Sequence, residues 1–284
     1  MPVFDDRLCM LGEGPIWHPQ RKQLFWFDIN GKAMLSRNGE EQLRWDFDDH
    51  VSAGGWVDHD HFVVATGSSL VLFNIETGEK QTLCDLEADM PGNRCNDGRA
   101  DPYGGFWIGT MGIKSDPGAG SIYRYYKGEL RKLFGDITVT NGTCFTPDRK
   151  WACYTDTKTR LLMRVALDEE GWPVGEPDIY LDFREQDLNI DGALFDKAGN
   201  VWIAHWGIHA VRAYAPDGTV VCEKTFPVTR VSCPAFGGED FKTLYVTSAR
   251  AGAKEEELQR EPLAGATFVC DVDFVGQQDN RIIL

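Results

Sequence analysis

Residues 191–205 read DGALFDKAGNVWIAH, two short apolar runs joined by a polar turn. The turn between the runs contains Asp196, Gly199 and Asn200, residue types that favour chain reversal. The second run, VWIAH, is rich in β-branched and aromatic residues, as strands are. The segment therefore predicts two strands joined by a turn.

The same unit recurs along the whole chain. Its second runs start roughly 37 to 50 residues apart: FWFDI from Phe25, FVVAT from Phe62, FWIGT from Phe106, WACYT from Trp151, VWIAH from Val201 and LYVTS from Leu244. Segments such as GSIYRYYKGEL (120–130) and HAVRAYAPDGTV (209–220) follow and predict third strands with glycine-containing hairpins. A period in the forties with about four short strands per unit is typical of a propeller blade.

Six units predict an all-β, six-bladed β-propeller. We expect a single domain over residues 1–284, because nothing in the composition marks a linker. We expect DRLCML (6–11) and DNRIIL (279–284) to pair in one blade, so that N- and C-terminal strands close the ring and remove an exposed edge. An ordinary β-sandwich is the alternative, but it does not explain six similar units.

Charge and composition restrict the function. The chain has 284 residues, with 44 acidic and 29 basic side chains and a net charge of −15. This field repels phosphate backbones, so we expect no nucleic-acid partner. No apolar run is long enough to span a membrane, and we expect no membrane partner. The eight cysteines form no CxxC pair and the N-terminus does not resemble a signal peptide, which predicts reduced thiols in a cytoplasmic protein.

A propeller brings the starts of its six innermost strands to one mouth of a central channel. Three oxygen-bearing residues, Glu13, Asn141 and Asp191, each stand directly before a glycine at these starts. Two carboxylates in a confined channel repel each other unless one is protonated or a cation joins them. We therefore predict one divalent metal ion, with Ca²⁺, Mg²⁺ and Mn²⁺ suited to oxygen ligands and Zn²⁺ or Fe²⁺ as alternatives. For Asn141 and Asp191, a plain Asn-Gly or Asp-Gly hairpin turn is the competing interpretation.

Several motifs resemble one family along nearly the whole chain. LGEGPIW (11–17), NRCNDGRADPYGGFWIGTM (93–111), TNGTCFTPD (140–148), DGALFDKAGNVWIAHWG (191–207) and CPAFGGEDFKTLYVTSAR (233–250) are similar, in order, to the senescence marker protein, gluconolactonase and luciferin-regenerating-enzyme family. The resemblance implies regucalcin-like six-bladed propellers with a divalent metal in the channel, many of which hydrolyse sugar lactones. It also implies that Glu13, Asn141 and Asp191 are the metal ligands.

The resemblance extends to substrate recognition. It implies that Arg94 and Asn96 bind the substrate, although a surface salt bridge is the alternative for Arg94. One departure concerns GTMGIKSDPGAG (109–120), where some lactonase relatives carry acidic residues and this chain has Lys114. We expect Lys114 to donate to a substrate hydroxyl, and residues 112–120 to form a mobile lid.

These observations predict hydrolysis of a sugar lactone, with Asp191 as the proton acceptor for the attacking water. Two alternatives remain at this point. The first is another metal-dependent hydrolase of esters or phosphotriesters that uses the same site. The second is a non-catalytic propeller that binds calcium or a partner. The particular lactone, the metal and the oligomeric state are not determined by the sequence.

Overall fold

The computed structural model describes all residues 1–284. Its strands form six four-stranded antiparallel sheets, the blades of a propeller. The first three blades are β2 (Gly12–His18), β3 (Gln23–Asp28), β4 (Ala33–Asn38) and β5 (Glu41–Asp46); β6 (Val51–Trp56), β7 (His61–Thr66), β8 (Ser69–Asn74) and β9 (Lys80–Asp85); and β10 (Asn93–Ala100), β11 (Phe106–Gly112), β12 (Gly120–Tyr126) and β13 (Glu129–Ile137).

Blades 4 and 5 continue the same order. They are β14 (Thr140–Phe145), β15 (Trp151–Asp156), β16 (Leu161–Leu167) and β17 (Pro173–Asp182), and then β18 (Ala193–Phe195), β19 (Val201–His205), β20 (Ala210–Tyr214) and β21 (Val220–Thr225). The predicted six-bladed propeller is confirmed, and each predicted second run lies in the second strand of its blade.

Blade 6 closes the ring. It contains β22 (Val231–Gly237), β23 (Thr243–Ser248), β24 (Thr267–Asp271) and, as its outer strand, β1 (Val3–Asp5) from the N-terminus. Closure by N- and C-terminal strands is confirmed, but the predicted partners are wrong. Residues 6–11 lead into blade 1, with only an isolated bridge from Leu11 to Ala249, and residues 279–284 form no strand. The true pair is β1 with β24. DNRIIL instead donates backbone hydrogen bonds from Ile282 to Trp56 O and from Ile283 to Gly104 O.

The hydrophobic core consists of six separate clusters, each shared by two neighbouring blades. Successive side chains of a second strand therefore serve two different interfaces. In β3, Phe25 and Phe27 pack against blade 2, whereas Trp26 between them packs against blade 6. This explains why the second runs are apolar throughout, since both faces of each strand are buried. Each cluster lies between two blades, and none of the six joins all the blades at the ring centre.

The C-terminal residues 276–284 cross the end of the channel at which the innermost strands finish. Asp279 accepts hydrogen bonds from Arg99 Nη1 at 2.8 Å and from the Trp17 N–H at 3.0 Å. The Ile282 N–H donates to Trp56 O, and Gln277 Nε2 donates to Phe145 O and Phe195 O. This tail therefore links several blades and covers the end of the channel opposite the predicted site.

Replacing Asp279 by alanine should destabilise the protein. The change leaves the Arg99 guanidinium and a strand N–H without their partner in a largely buried place, which we expect to lower the free energy of unfolding by about 3 kcal/mol. Urea unfolding followed by circular dichroism measures the loss. Gln278→Ala is the control, because Gln278 is an exposed neighbour on the same tail. A change below about 0.5 kcal/mol for Asp279→Ala would show that the tail does not hold the blades together.

The only helix is α1 (Glu255–Arg260), which follows β23 and has no buried residue. No helix in the structure has the length and apolar character needed to cross a membrane. All eight cysteines are free, and five of them are buried. The prediction of unpaired thiols is therefore confirmed.

Candidate active site

A β-bulge interrupts the innermost strand of several blades near its start. The strand pairing shifts between Glu13 and Ile16 in β2, and between Asn141 and Cys144 in β14. A bulge bends the strand locally and changes the direction of a side chain, and bulges are common beside active sites. The glycines after the two predicted ligands, Gly14 and Gly142, have φ of 52° and 66°, a left-handed conformation that glycine adopts without strain.

The bulges settle the competing interpretation of the Asn-Gly and Asp-Gly pairs. Asn141 and Gly142 lie inside β14, not in a hairpin turn. Gly192 is required for a different reason, because a Cβ there would collide with Cys233 on the neighbouring blade. Its N–H donates to Ser232 O at 2.8 Å, so blades 5 and 6 approach each other closely at this point. Neither the Asn141–Gly142 nor the Asp191–Gly192 pair lies in a turn that joins two paired strands, so the hairpin-turn interpretation is wrong.

The three predicted ligands share one register position. Each lies four residues before an inner-strand residue that pairs with the second strand of its blade, in the pairs Trp17–Leu24, Phe145–Ala152 and Phe195–Val201. Each also faces the residue three places after that partner, since Glu13 pairs with Phe27, Asn141 pairs with Thr155 and the Asp191 N–H donates to Ala204 O. The three residues therefore lie at equivalent places of their blades, at the start of the innermost strand.

Glu13 and Asp191 form a buried carboxyl pair. They are 9% and 6% exposed, and their side chains lie within hydrogen-bonding reach of each other. Burial raises the pKa of both groups, and repulsion between neighbouring carboxylates, including Asp97, raises it further. Arg94 opposes this effect only in part. The metal-free pair is therefore expected to retain a proton at neutral pH.

Arg94 begins a chain of hydrogen bonds that crosses two blades. Its Nη1 donates to Cys95 O and to Asn96 Oδ1, both at 2.7 Å. Asn96 Nδ2 then donates to Thr140 O at 2.8 Å and to Asn141 Oδ1 at 3.0 Å. Arg94 is 8% exposed, so it is not a surface residue, and it makes no salt bridge. Its Nε and Nη2 donate to no protein group and are available to a ligand.

Lys114 is placed differently from the other predicted residues. It is exposed in the loop between β11 and β12, and it makes no hydrogen bond or ion pair with the protein. Gly112 pairs with Asn93 at the start of β10, so this loop does lie at the predicted mouth. The loop has its own backbone bonds, from Ser115 N to Gly112 O and from Ile113 N to Gly92 O. Its motion and its contact with substrate stay predictions.

The residues present fit a hard divalent cation. The two buried carboxyls, with raised pKa values and one guanidinium nearby, would gain from a second source of positive charge. Nowhere in the chain are three or more histidine, cysteine, aspartate or glutamate side chains arranged to hold a metal ion. A cation beside Glu13 and Asp191 would thus need a neutral third donor, and the Asn141 amide oxygen is a suitable one.

Two residues of this region were missed as functional candidates. Asp97 is a third buried carboxyl, which accepts the Thr143 N–H at 2.7 Å, and burial raises its pKa. Thr157 hydrogen-bonds the Asn141 side chain. Asp97 had a sequence signal, since it lies at the start of an innermost strand beside Asn96. Thr157 lies beyond the end of β15, where the sequence shows only a polar turn.

The carboxyl pair predicts an unusual pH dependence for the metal-free protein. Because both folded-state pKa values are raised, protonation favours the folded form. This contribution is complete below the unfolded-state pKa of about 4 and is lost as pH rises through the folded values. Chelator-treated protein should therefore lose thermal stability between pH 5 and 8 on the order of several degrees.

Glu13→Gln provides the control for this measurement, because it removes one charge of the pair. Differential scanning calorimetry of parent and variant across the same pH range should show the loss in the parent and a much smaller loss in Glu13→Gln. Identical profiles for the two proteins would contradict close interaction of Glu13 with Asp191.

Comparison with known proteins supports what the motifs implied. The family model described as the SMP-30/Gluconolactonase/LRE-like region matches residues 11–250 of this chain. This chain belongs to that family. A 6-deoxy-6-sulfogluconolactonase from Pseudomonas putida is 34% identical, over 94% of this chain and 93% of that protein. A pentonolactonase from Haloferax volcanii is 33% identical, over 97% and 96%.

A solved structure is similar to this SMP-30/gluconolactonase-family propeller over almost its full length. It is that of a calcium-binding protein, regucalcin, from Agrobacterium tumefaciens, with a TM-score of 0.97 and 35% sequence identity. The match covers 99% of this chain and 97% of that chain. The fold and the family are therefore established independently of the motifs.

Proposed function

We propose that this protein is a metal-dependent lactonase that opens a sugar lactone to the corresponding hydroxy acid. The buried Glu13–Asp191 pair beside Arg94 carries the proposal, because it combines a site for a hard cation with donors that no protein group uses. The names of the two lactonase relatives support lactones as the substrate class. We further propose a cytoplasmic location, which the eight free cysteines support.

In this proposal, Glu13, Asn141 and Asp191 hold one divalent cation. When bound, the cation supplies Lewis-acid activation of a carbonyl group. The name of the calcium-binding structural relative supports Ca²⁺ among the candidates, with Mg²⁺, Mn²⁺, Zn²⁺ and Fe²⁺ as the others. Glu13 and Asp191 contribute charge, and Asn141 contributes a neutral oxygen from a third blade.

The chain's own residues perform the proton transfers. Asp191 accepts a proton as the water oxygen bonds to the lactone carbonyl carbon. The bond between that carbon and the ring oxygen then breaks, and Asp191 returns the proton to the ring oxygen. Arg94 donates hydrogen bonds to substrate oxygen atoms, and Asn96 holds the Arg94 guanidinium by accepting from Nη1. Lys114 at the mouth donates to a substrate hydroxyl, and the 112–120 loop covers the bound lactone.

A screen with chelator-stripped protein tests this function. Acid release from a panel of aldonolactones is followed with each candidate cation added singly, and an aryl ester and a phosphotriester are included. Cation-dependent acid release from a sugar lactone is the expected result. Preference for the ester or phosphotriester would favour the alternative hydrolase. Tight Ca²⁺ binding with no turnover of any compound would favour a non-catalytic binding propeller.

Arg94→Ala should lower kcat/KM for the best lactone by roughly 10- to 100-fold, the usual cost of losing a hydrogen bond from a charged group. The physical reason is that Nε and Nη2, which bind no protein group, are the strongest free donors beside the carboxyl pair. Steady-state kinetics at saturating cation measure the loss. Arg250→Ala, which removes a half-buried arginine after β23, is the control. Equal kcat/KM for Arg94→Ala and the parent would remove Arg94 from the substrate site.

A further inference from the structure

Thr157 connects two of the candidate cation ligands through one hydroxyl group. Its Oγ1 accepts a hydrogen bond from Asn141 Nδ2 at 2.9 Å and donates one to Ile190 O at 2.8 Å. Ile190 directly precedes Asp191 in the chain. The Thr157 N–H donates to Val139 O at 3.0 Å, which fixes the backbone from which the hydroxyl projects. The hydroxyl thus lies between blade 4 and the segment that enters blade 5.

The proton count of this hydroxyl determines the orientation of the Asn141 amide. A threonine hydroxyl has one proton, and the Ile190 carbonyl, which can only accept, takes it. Thr157 can therefore offer Asn141 only a lone pair, to which the amide must present its NH₂ group. The amide oxygen then faces the other way, where Asn96 Nδ2 donates to it at 3.0 Å. If the Asn141 amide were flipped, it would lose the hydrogen bond to Thr157. Its NH₂ group would then face the NH₂ group of Asn96, and neither could accept a hydrogen bond.

The same hydroxyl also holds the segment before Asp191. This segment lacks regular strand pairing, since β18 begins only at Ala193. Side chains satisfy two of its carbonyls: Thr157 bonds Ile190 O, and the buried His205 Nδ1 lies 2.9 Å from Asn189 O. Loss of the Thr157 hydroxyl would therefore free the Asn141 amide and loosen the approach to Asp191 together.

We propose that Thr157 is a positioning residue that keeps the Asn141 amide oxygen, and not its nitrogen, directed to the cation site. This inference rests on the proposed function, because it requires a cation at Glu13, Asn141 and Asp191. Thr157 contacts neither substrate nor reacting atoms in this role. It acts through Asn141, as outer-shell hydrogen bonds orient the ligands of metal sites in general.

Binding of Mn²⁺ alone to chelator-stripped protein, measured by electron paramagnetic resonance, tests the role. Thr157→Val keeps the shape of the side chain and removes its hydrogen bonds, so we expect roughly 10- to 100-fold weaker binding, as for other outer-shell partners. Thr157→Ser keeps the hydroxyl and should bind within about threefold of the parent. Thr159→Val is the matched control, because the Thr159 hydroxyl bonds only within its own turn. It should bind as the parent does.

An Asn141→Asp background separates amide orientation from general loosening. A carboxylate has two equivalent oxygens, so its orientation no longer matters, and Thr157→Val should then weaken Mn²⁺ binding by at most about threefold, the part that the loosened segment before Asp191 contributes. An equal loss in both backgrounds would overturn the orientation role. If Thr157→Val alone fails to fold, as judged by circular dichroism, Thr157→Ala in both backgrounds gives the same comparison.

Two negative results have different meanings. Normal Mn²⁺ binding by the parent and equally tight binding by Thr157→Val would overturn the positioning role and leave the proposed function intact. Absence of Mn²⁺, Ca²⁺ and Mg²⁺ binding by the parent would instead overturn the metal-dependent function, and the positioning role with it.

Discussion

Asp191→Asn should reduce kcat for lactone hydrolysis roughly 10²- to 10⁴-fold, the range expected for loss of a general base. The variant keeps the size of the side chain, so the fold should be retained. In the metal-free protein it should even be slightly more stable at pH 8, because one of two mutually repelling buried carboxylates is gone. Steady-state kinetics and calorimetry on the same preparation measure both effects.

The matched control for Asp191→Asn is Asp187→Asn, four residues earlier in the same segment. Asp187 is exposed and pairs with Arg160 at 2.6 Å, an interaction that contributes little at the surface. Its loss should leave kcat within about twofold of the parent. If Asp191→Asn retained more than a tenth of the parent kcat at saturating cation, Asp191 would not be the proton acceptor.

Glu13→Gln should weaken cation binding by roughly a hundredfold or more, since loss of an outer-shell partner alone often costs 10- to 100-fold. A neutral amide oxygen replaces a charged one in a buried place where charge interactions are strong. Unlike Asp191, Glu13 has no proposed part in proton transfer. High cation concentration should therefore restore much of kcat in Glu13→Gln but not in Asp191→Asn.

Isothermal titration with Mn²⁺, followed by activity at increasing Mn²⁺, distinguishes the two variants. Glu41→Gln, on the exposed outer strand β5, is the control and should bind cation as the parent does. Parent-like affinity in Glu13→Gln would remove Glu13 from the metal site. An equal and unrecoverable loss of kcat in both variants would show that the roles of the two carboxyls cannot be separated in this way.

The repeat period predicted the blades well because each blade must bury both faces of its second strand. Runs such as FWFDI and VWIAH are apolar throughout for this reason, and the interface clusters confirm it. Ring closure was predicted less well. DNRIIL resembles a strand, but its Ile282 is buried against blades 2 and 3 at the end of the channel. An apolar segment predicts burial, and the kind of burial depends on the surfaces that surround it.

For the candidate site, the sequence identified which residues lie at the mouth but not how they interact. The glycine after each predicted ligand indicated a special backbone position, and Gly14 and Gly142 confirm this by their left-handed φ. The sequence did not reveal the bulges beside Glu13 and Asn141, because a bulge changes the strand register without a sequence signal of its own. The joint role of Glu13, Asn141 and Asp191 as ligands, and a single domain over 1–284, stay predictions.

The sequence by itself determined the propeller, the number of blades and the mouth at which Glu13, Asn141 and Asp191 gather, because these depend on local periodicity repeated along the chain. Only the tertiary structure decided that Glu13 and Asp191 meet as one buried pair, that Arg94 is held by Asn96, and that Thr157 joins Asn141 to the Asp191 segment. The Glu13–Asp191 and Thr157–Ile190 contacts join residues of different blades. Their geometry is determined by how neighbouring blades pack, which no local pattern records.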